Sequence, residues 1–132
     1  MYEDTYVGTC DGAVAFLKEV DHPACGLNPD IGNFIRLHRP IEPVPQMLEK
    51  VLPHANYWHV KNYLRDEDPA TGSVTTFPTS MEAGIIDFRS AITQAVEGGY
   101  TGAFLCEHYG GDMLGNIARN RDYIRSVLAT IL

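Results

Sequence analysis

Hydrophobic positions along this chain alternate between a helical spacing and short apolar runs, and that alternation predicts a repeating strand–helix order. Val44, Met47, Leu48, Val51 and Leu52 fall at i, i+3, i+4, i+7 and i+8, which predicts a helix over about 44–52 with one buried stripe. An earlier helix is predicted from Asp11 to Val20, with Val14 and Leu17 at helical spacing and Asp11 able to cap it. Asp21-His22-Pro23 ends it, because proline disfavours helical geometry in the residue before it. A third helix is capped by Asp87, carries Phe88, Ala91, Ile92, Ala95 and Val96 on one face, and closes at Gly98-Gly99. The last helix follows Gly110-Gly111, with Leu114, Ile117, Ile124, Val127, Leu128 and Ile131 as its buried stripe.

Between these helices lie short apolar runs that predict strands: Ala24 to Asn28, Asn56 to Lys61, and the run Ala103-Phe104-Leu105-Cys106 that leads to Glu107. A loop carrying Arg36, His38, Arg39 and Pro40 joins the first strand to the second helix. The longest stretch without helical period, Tyr63 to Gly84, is rich in Asp, Pro, Thr, Ser and Gly and is expected to be irregular, with Asp66 to Ser80 mobile or ordered only by contacts at the mouth of a site. No internal repeat beyond the βα unit and no domain boundary is visible, so residues 1–132 are expected to be one α/β domain with parallel strands.

Composition narrows the partners. The 132 residues are enough for one domain or a piece of a larger one, and a hydrophobic share of 45% excludes wholesale disorder. A formal charge of −7 with scattered Lys and Arg excludes nucleic acid as a partner, because phosphate binding needs clustered cations. No apolar run approaches the ~20 residues needed to cross a bilayer, and Met1-Tyr2-Glu3-Asp4 has no signal character, so no membrane association and a cytoplasmic location are expected. Cys10, Cys25 and Cys106 are odd in number and widely spaced, which is no disulfide framework and no zinc knuckle. Cys25 and Cys106 are expected as small buried hydrophobes. A nucleophilic role for Cys106 beside Glu107 and His108 is weakened because neighbours in a strand face opposite ways.

Each predicted strand ends in a potential metal ligand. Asp30 follows Gly26-Leu27-Asn28-Pro29, His59 lies in Tyr57-Trp58-His59-Val60, and Glu107 follows Phe104-Leu105-Cys106. Singly, an Asp before a turn, a rim histidine and a solvated carboxylate are ordinary. Jointly, two carboxylates and an imidazole at the carboxyl ends of successive parallel strands would converge where α/β folds keep their ligands. Oxygen and nitrogen donors together suit a divalent ion: Mn²⁺, Co²⁺, Mg²⁺ or Zn²⁺. Lys61, two residues after His59, shares its face of the strand and would contact substrate or form an ion pair inside the barrel. Arg65 would hold a polar or anionic substrate group, or stand solvated in the loop.

These segments resemble the sugar phosphate isomerase/epimerase family of the xylose-isomerase-like TIM-barrel superfamily. The resemblance is carried by Val20-Asp21-His22-Pro23 leading to Gly26-Leu27-Asn28-Pro29-Asp30-Ile31-Gly32-Asn33, by His59-Val60-Lys61-Asn62, and by Gly99-Tyr100-Thr101-Gly102 leading to Glu107. It covers roughly Tyr6 to the C-terminus. It implies a partial TIM barrel, the C-terminal half of a (β/α)8 barrel, with Asp30, His59 and Glu107 as metal ligands and Glu107 as the catalytic acid/base. It places Asn33 and Arg65 at the hydroxyls or carbonyl of a small sugar or sugar phosphate, and implies aldose–ketose isomerisation or epimerisation through an enediolate.

The chain departs from its relatives in two ways. A whole barrel typically needs ~250 residues, and the relatives' fourth ligand, a second acid/base Glu, ends a strand before this sequence starts; Glu3 and Asp4 are the nearest carboxylates. Asn62 stands where many relatives have Asp. The isolated chain is therefore expected to turn over sugars poorly, and a non-catalytic half-barrel binding or remnant protein is the alternative. A related abasic-site endonuclease is disfavoured by the acidic charge and by only five histidines. With helices for one face of its sheet only, the half-barrel is expected to be a homodimer.

Overall fold

A computed structural model describes residues 7–35 and 41–132. The expected loop of Arg36, His38, Arg39 and Pro40, and the carboxylates Glu3 and Asp4, lie outside the described residues. The elements run α1 (Cys10–Val20), α2 (Ile31–Phe34), α3 (Val44–Val51), a 3-10 turn (Leu52–His54), β1 (Tyr57–Val60), β2 (Asn62–Glu67), β3 (Val74–Thr79), α4 (Phe88–Glu97), β4 (Ala103–Cys106) and α5 (Met113–Ile131). The α/β half-barrel is as expected: β1 and β4 pair in parallel, Tyr57 opposite Ala103 and His59 opposite Leu105.

The first predicted strand is only partly formed. Residues 22–25 form a turn, with Cys25 N–H donating to the His22 carbonyl at 2.9 Å. Parallel pairing to β1 is confined to bridges of Leu27 with Ala55 and Asp30 with His59. Leu27 donates to the His54 carbonyl at 2.7 Å and accepts from Asn56 N–H at 3.0 Å. The next donor in register is Pro29, which has no N–H, so the ladder is interrupted there. Pro29 still accepts from His59 N–H at 3.0 Å, which carries the segment along β1 as far as Asp30.

The helices cover one side of this layer: α1 packs on α3, α3 on α4, and α4 on α5, which also touches β4. Even-numbered strand residues face them. Trp58 and Val60 are fully buried, and Trp58 meets the rings of Phe88, Tyr100 and Phe104 at centroid separations of 5.5–6.1 Å. Each such aromatic contact adds about 1 kcal/mol beyond the area buried. The stripe of α3 is buried at Met47, Leu48 and Val51, and that of α4 at Phe88, Ala91, Ile92 and Ala95. Asp87 caps α4 as expected, accepting from Ser90 N–H at 3.1 Å.

Four local expectations are corrected. Thr9, not Asp11, caps α1, its Oγ1 accepting from Gly12 N–H at 3.0 Å. The stretch 63–84 is not an irregular loop: β2 and β3 form an antiparallel hairpin with Leu64 opposite Phe77 and Arg65 opposite Thr76. Leu114 is 77% exposed, because α5 meets the core only further along, at Ile124 and Val127. Cys25 is exposed, since the turn holding it lies outside the ladder, and Cys106 is half-buried.

Candidate metal centre

Asp30, His59 and Glu107 meet at the carboxyl end of the parallel layer. Each contributes one ligand atom, and these atoms lie within 4.8 Å of one another. Three local causes place them. The interrupted strand ends at Asp30, which turns into α2 and caps it, Oδ1 accepting from Asn33 N–H at 3.0 Å. His59 projects from β1 away from Trp58 and Val60, hence away from the helices. Glu107 directly follows β4 and is tied to β1 by its N–H, which donates to the Val60 carbonyl at 3.1 Å.

His59 stands between the two carboxylates, Nδ1 3.6 Å from Asp30 Oδ2 and Nε2 3.0 Å from Glu107 Oε2. Lys61 enters from the same face of the chain. Its Nζ donates to Glu107 Oε2 at 2.6 Å and lies 2.9 Å from Asp30 Oδ2. Asp30 and Lys61 are 1% and 3% exposed, so this ion pair is screened little by solvent. Burial alone would push the Lys61 amine down; the hydrogen bonds and charges of Glu107 and Asp30 outweigh it and raise the amine above its usual range. For Glu107 burial pushes the carboxyl up, but hydrogen bonds from Lys61 and Tyr109 and the Lys61 charge hold it below the ordinary glutamate value.

The donor set fits a divalent cation. Donors sharing an ion at ~2.0–2.2 Å lie no more than ~4.4 Å apart, so a small contraction brings all three onto one ion. Asp30 Oδ2 is buried, with the Lys61 ammonium 2.9 Å and the His59 Nδ1 3.6 Å away.

The other expected residues are less closely drawn in. Asn33 sits in α2, and its side-chain Oδ1 is buried without a hydrogen-bond partner. Arg65 lies on strand β2 rather than in a loop, its guanidinium 2.5 Å from Glu67 Oε2. Lys61, Tyr63 and Arg65 share one side of that segment by their spacing. Lys61 takes the ion-pair alternative expected of it, whereas the contact of Tyr109 with Glu107 has no counterpart in the sequence pattern. The i, i+2 spacing of His59 and Lys61 is the sequence signal for the former.

Residues 1–128 match the family described as xylose isomerase-like TIM barrel. The chain belongs to this family. It is 57% identical, over its whole length, to a xylose isomerase-like TIM-barrel protein from Mycobacterium smegmatis crystallised in complex with magnesium, with a TM-score of 0.91. A xylose isomerase domain protein from Planctomyces limnophilus shares the fold at 19% identity and a TM-score of 0.77, over 99% of the chain. The chain spans 43% and 46% of the lengths of these two xylose isomerase-like proteins. No curated protein matches it in sequence. A partial xylose isomerase-like barrel accounts for the open inner side of the parallel layer, and no described helix is long and apolar enough to cross a membrane.

Proposed function

We propose that Asp30, His59 and Glu107 hold one divalent ion, Mn²⁺, Co²⁺, Mg²⁺ or Zn²⁺, at the active centre of a sugar or sugar phosphate isomerase or epimerase. The observation that carries this is the convergence of the three ligand atoms within 4.8 Å at the ends of successive parallel segments. The magnesium complex of the 57% identical relative supports it.

A bound divalent ion would polarise the carbonyl and neighbouring hydroxyl oxygens of the substrate. Glu107, kept ionised by Lys61 and Tyr109 and still partly open to solvent, takes a proton from the carbon beside the carbonyl and returns it to the neighbour, through an enediolate. The unpartnered Asn33 Oδ1 accepts a hydrogen bond from a sugar hydroxyl. Arg65, already oriented by Glu67, holds a polar or anionic end of the substrate. The reaction requires a second acid/base group, and among the described residues Glu107 is met by no carboxylate besides Asp30; its other partners are His59, Lys61 and Tyr109.

The test is binding of Mn²⁺ to the purified chain, followed by electron paramagnetic resonance, against Asp30→Asn and Glu107→Gln. Loss of binding in both variants is expected; binding unaffected by either would overturn the assignment. The second reading, a non-catalytic half-barrel that keeps the ion, is favoured by the lack of a second carboxylate beside Glu107, other than Asp30, among the described residues. It predicts metal binding without deuterium uptake by sugars in heavy water.

A further inference from the structure

The Lys61 ammonium occupies the side of the triad where positive charge is needed most. It lies 2.6 Å from Glu107 Oε2 and 2.9 Å from Asp30 Oδ2, the same two oxygens that face the His59 ring. A divalent ion bound by those oxygens would therefore sit within a few ångströms of a buried ammonium. At that range, with little solvent between them, like charges repel strongly.

The slot around Lys61 is built rather than incidental. Gly32 in α2 passes so close that a Cβ there would stand 2.9 Å from both Lys61 Cγ and its carbonyl oxygen. The other side offers the ammonium a second seat. The Tyr109 ring centroid is 5.0 Å from Nζ and the Tyr63 centroid 6.0 Å, both within the range of a cation–π contact.

We propose that Lys61 is an internal counter-ion: it holds Asp30 and Glu107 together in the metal-free chain and yields to an incoming divalent cation by shifting toward the Tyr63 and Tyr109 rings. This rests on the metal reading above. Lys61 thus sets the affinity of the site by competing for it. A lysine that merely positions the ligands would have the opposite effect, because its loss would loosen them.

Mn²⁺ binding to wild type, Lys61→Met and Lys61→Gln separates these cases. Competition predicts that both variants bind Mn²⁺ tenfold or more tightly than wild type, since a repelling charge is gone. It also predicts that their thermal midpoints fall below wild type in chelator and recover on adding Mn²⁺. Should the variants not fold in chelator, Mn²⁺ must restore their helical circular dichroism; failure to do so overturns the proposal. Unchanged or weaker binding overturns it while leaving the metal assignment standing. Absence of Mn²⁺ binding in all three proteins overturns the metal assignment and this proposal together.

Discussion

The Asn62 side chain holds both backbone groups of Ile86: its Nδ2 donates to the Ile86 carbonyl at 2.8 Å and its Oδ1 accepts from the Ile86 N–H at 3.1 Å. Nδ2 also donates to the Met81 carbonyl at 2.9 Å, and Oδ1 accepts from Tyr63 N–H at 3.0 Å. Four hydrogen bonds exhaust what the amide can make at these positions. They pin the turn 81–86 against the end of β1, just behind Lys61. Gly84 belongs to this arrangement, because a Cβ there would overlap the Asn62 amide. From the α5 side, Asn120 Oδ1 accepts from Met81 N–H at 3.0 Å, so the turn is held from two elements.

Asparagine, rather than aspartate, is what this network uses. An ionised aspartate has no donor and would set a buried charge against the carbonyls of Met81 and Ile86. Asn62→Asp is expected to destabilise the chain by about 3 kcal/mol, the loss of two buried donors less relaxation. Urea unfolding is the measurement, with the midpoint lowered and the slope unchanged. A shift under about 1 kcal/mol would show that the turn accommodates a carboxylate.

Asp87 gives the chain a small acid-sensitive element. Its carboxylate accepts from the Ser90 hydroxyl at 2.6 Å and the Ser90 N–H at 3.1 Å, and these bonds hold its carboxyl below the ordinary 3.8. A folded-state value lower than the unfolded one stabilises above the unfolded value, and the gain disappears as pH falls through the folded one. Stability should therefore decline as pH drops below about 4, in part through α4. Asp87→Asn keeps the cap without the charge and should flatten that part of the acid limb. Asp87→Ala should lower stability by about 1 kcal/mol at neutral pH. Thermal melts of the three proteins from pH 3 to 7 compare these effects; an acid limb identical in wild type and Asp87→Asn would sink the assignment.

Sequence alone carried the parts of this molecule in which one periodicity dominates. The stripes of α3 and α4 and the cap at Asp87 are buried or bonded as their spacing requires. The three ligand candidates were legible for a similar reason, since each follows an apolar run and parallel strands end on a common side. The hairpin departs from the expected loop because the Asp, Pro, Ser and Gly residues of 63–84 mask a short strand pair that has no helical period. Its signals were present: β-branched Val74, Thr75, Thr76 and Thr79, and an Asp-Pro turn closed by Gly72 at φ 68°. In that turn Asp68 accepts from Ala70 N–H at 2.8 Å and Gly72 N–H donates to the Asp68 carbonyl at the same distance. The ion pair of Lys61 with Asp30 joins residues on separate segments across an angle that periodicity does not fix. Only the assembled layer shows that one ammonium reaches both carboxylates.

The inner side of the parallel layer leads to the last expectation. Tyr57 and His59 on β1, and Ala103 and Leu105 on β4, face away from the helices, and Tyr57 and Leu105 are 51% and 40% exposed. A parallel sheet is normally covered on both faces, and in a whole barrel the remaining strands seal this one. On the described residues, β4 and the Leu27–Asp30 segment are also edges, each with backbone groups that a further strand could pair. A second copy related by a two-fold axis would cover the inner face and set each edge beside the other's, the commonest symmetry for a homo-oligomer. The chain is therefore expected to sediment as a dimer at micromolar concentration. Leu105→Glu should shift it toward the 14.6 kDa monomer by placing a charge in the contact. Leu114→Glu, at the far more exposed start of α5, should leave the dimer intact. A wild-type chain that sediments as a monomer and still unfolds cooperatively would refute the dimer and show that the open face tolerates water.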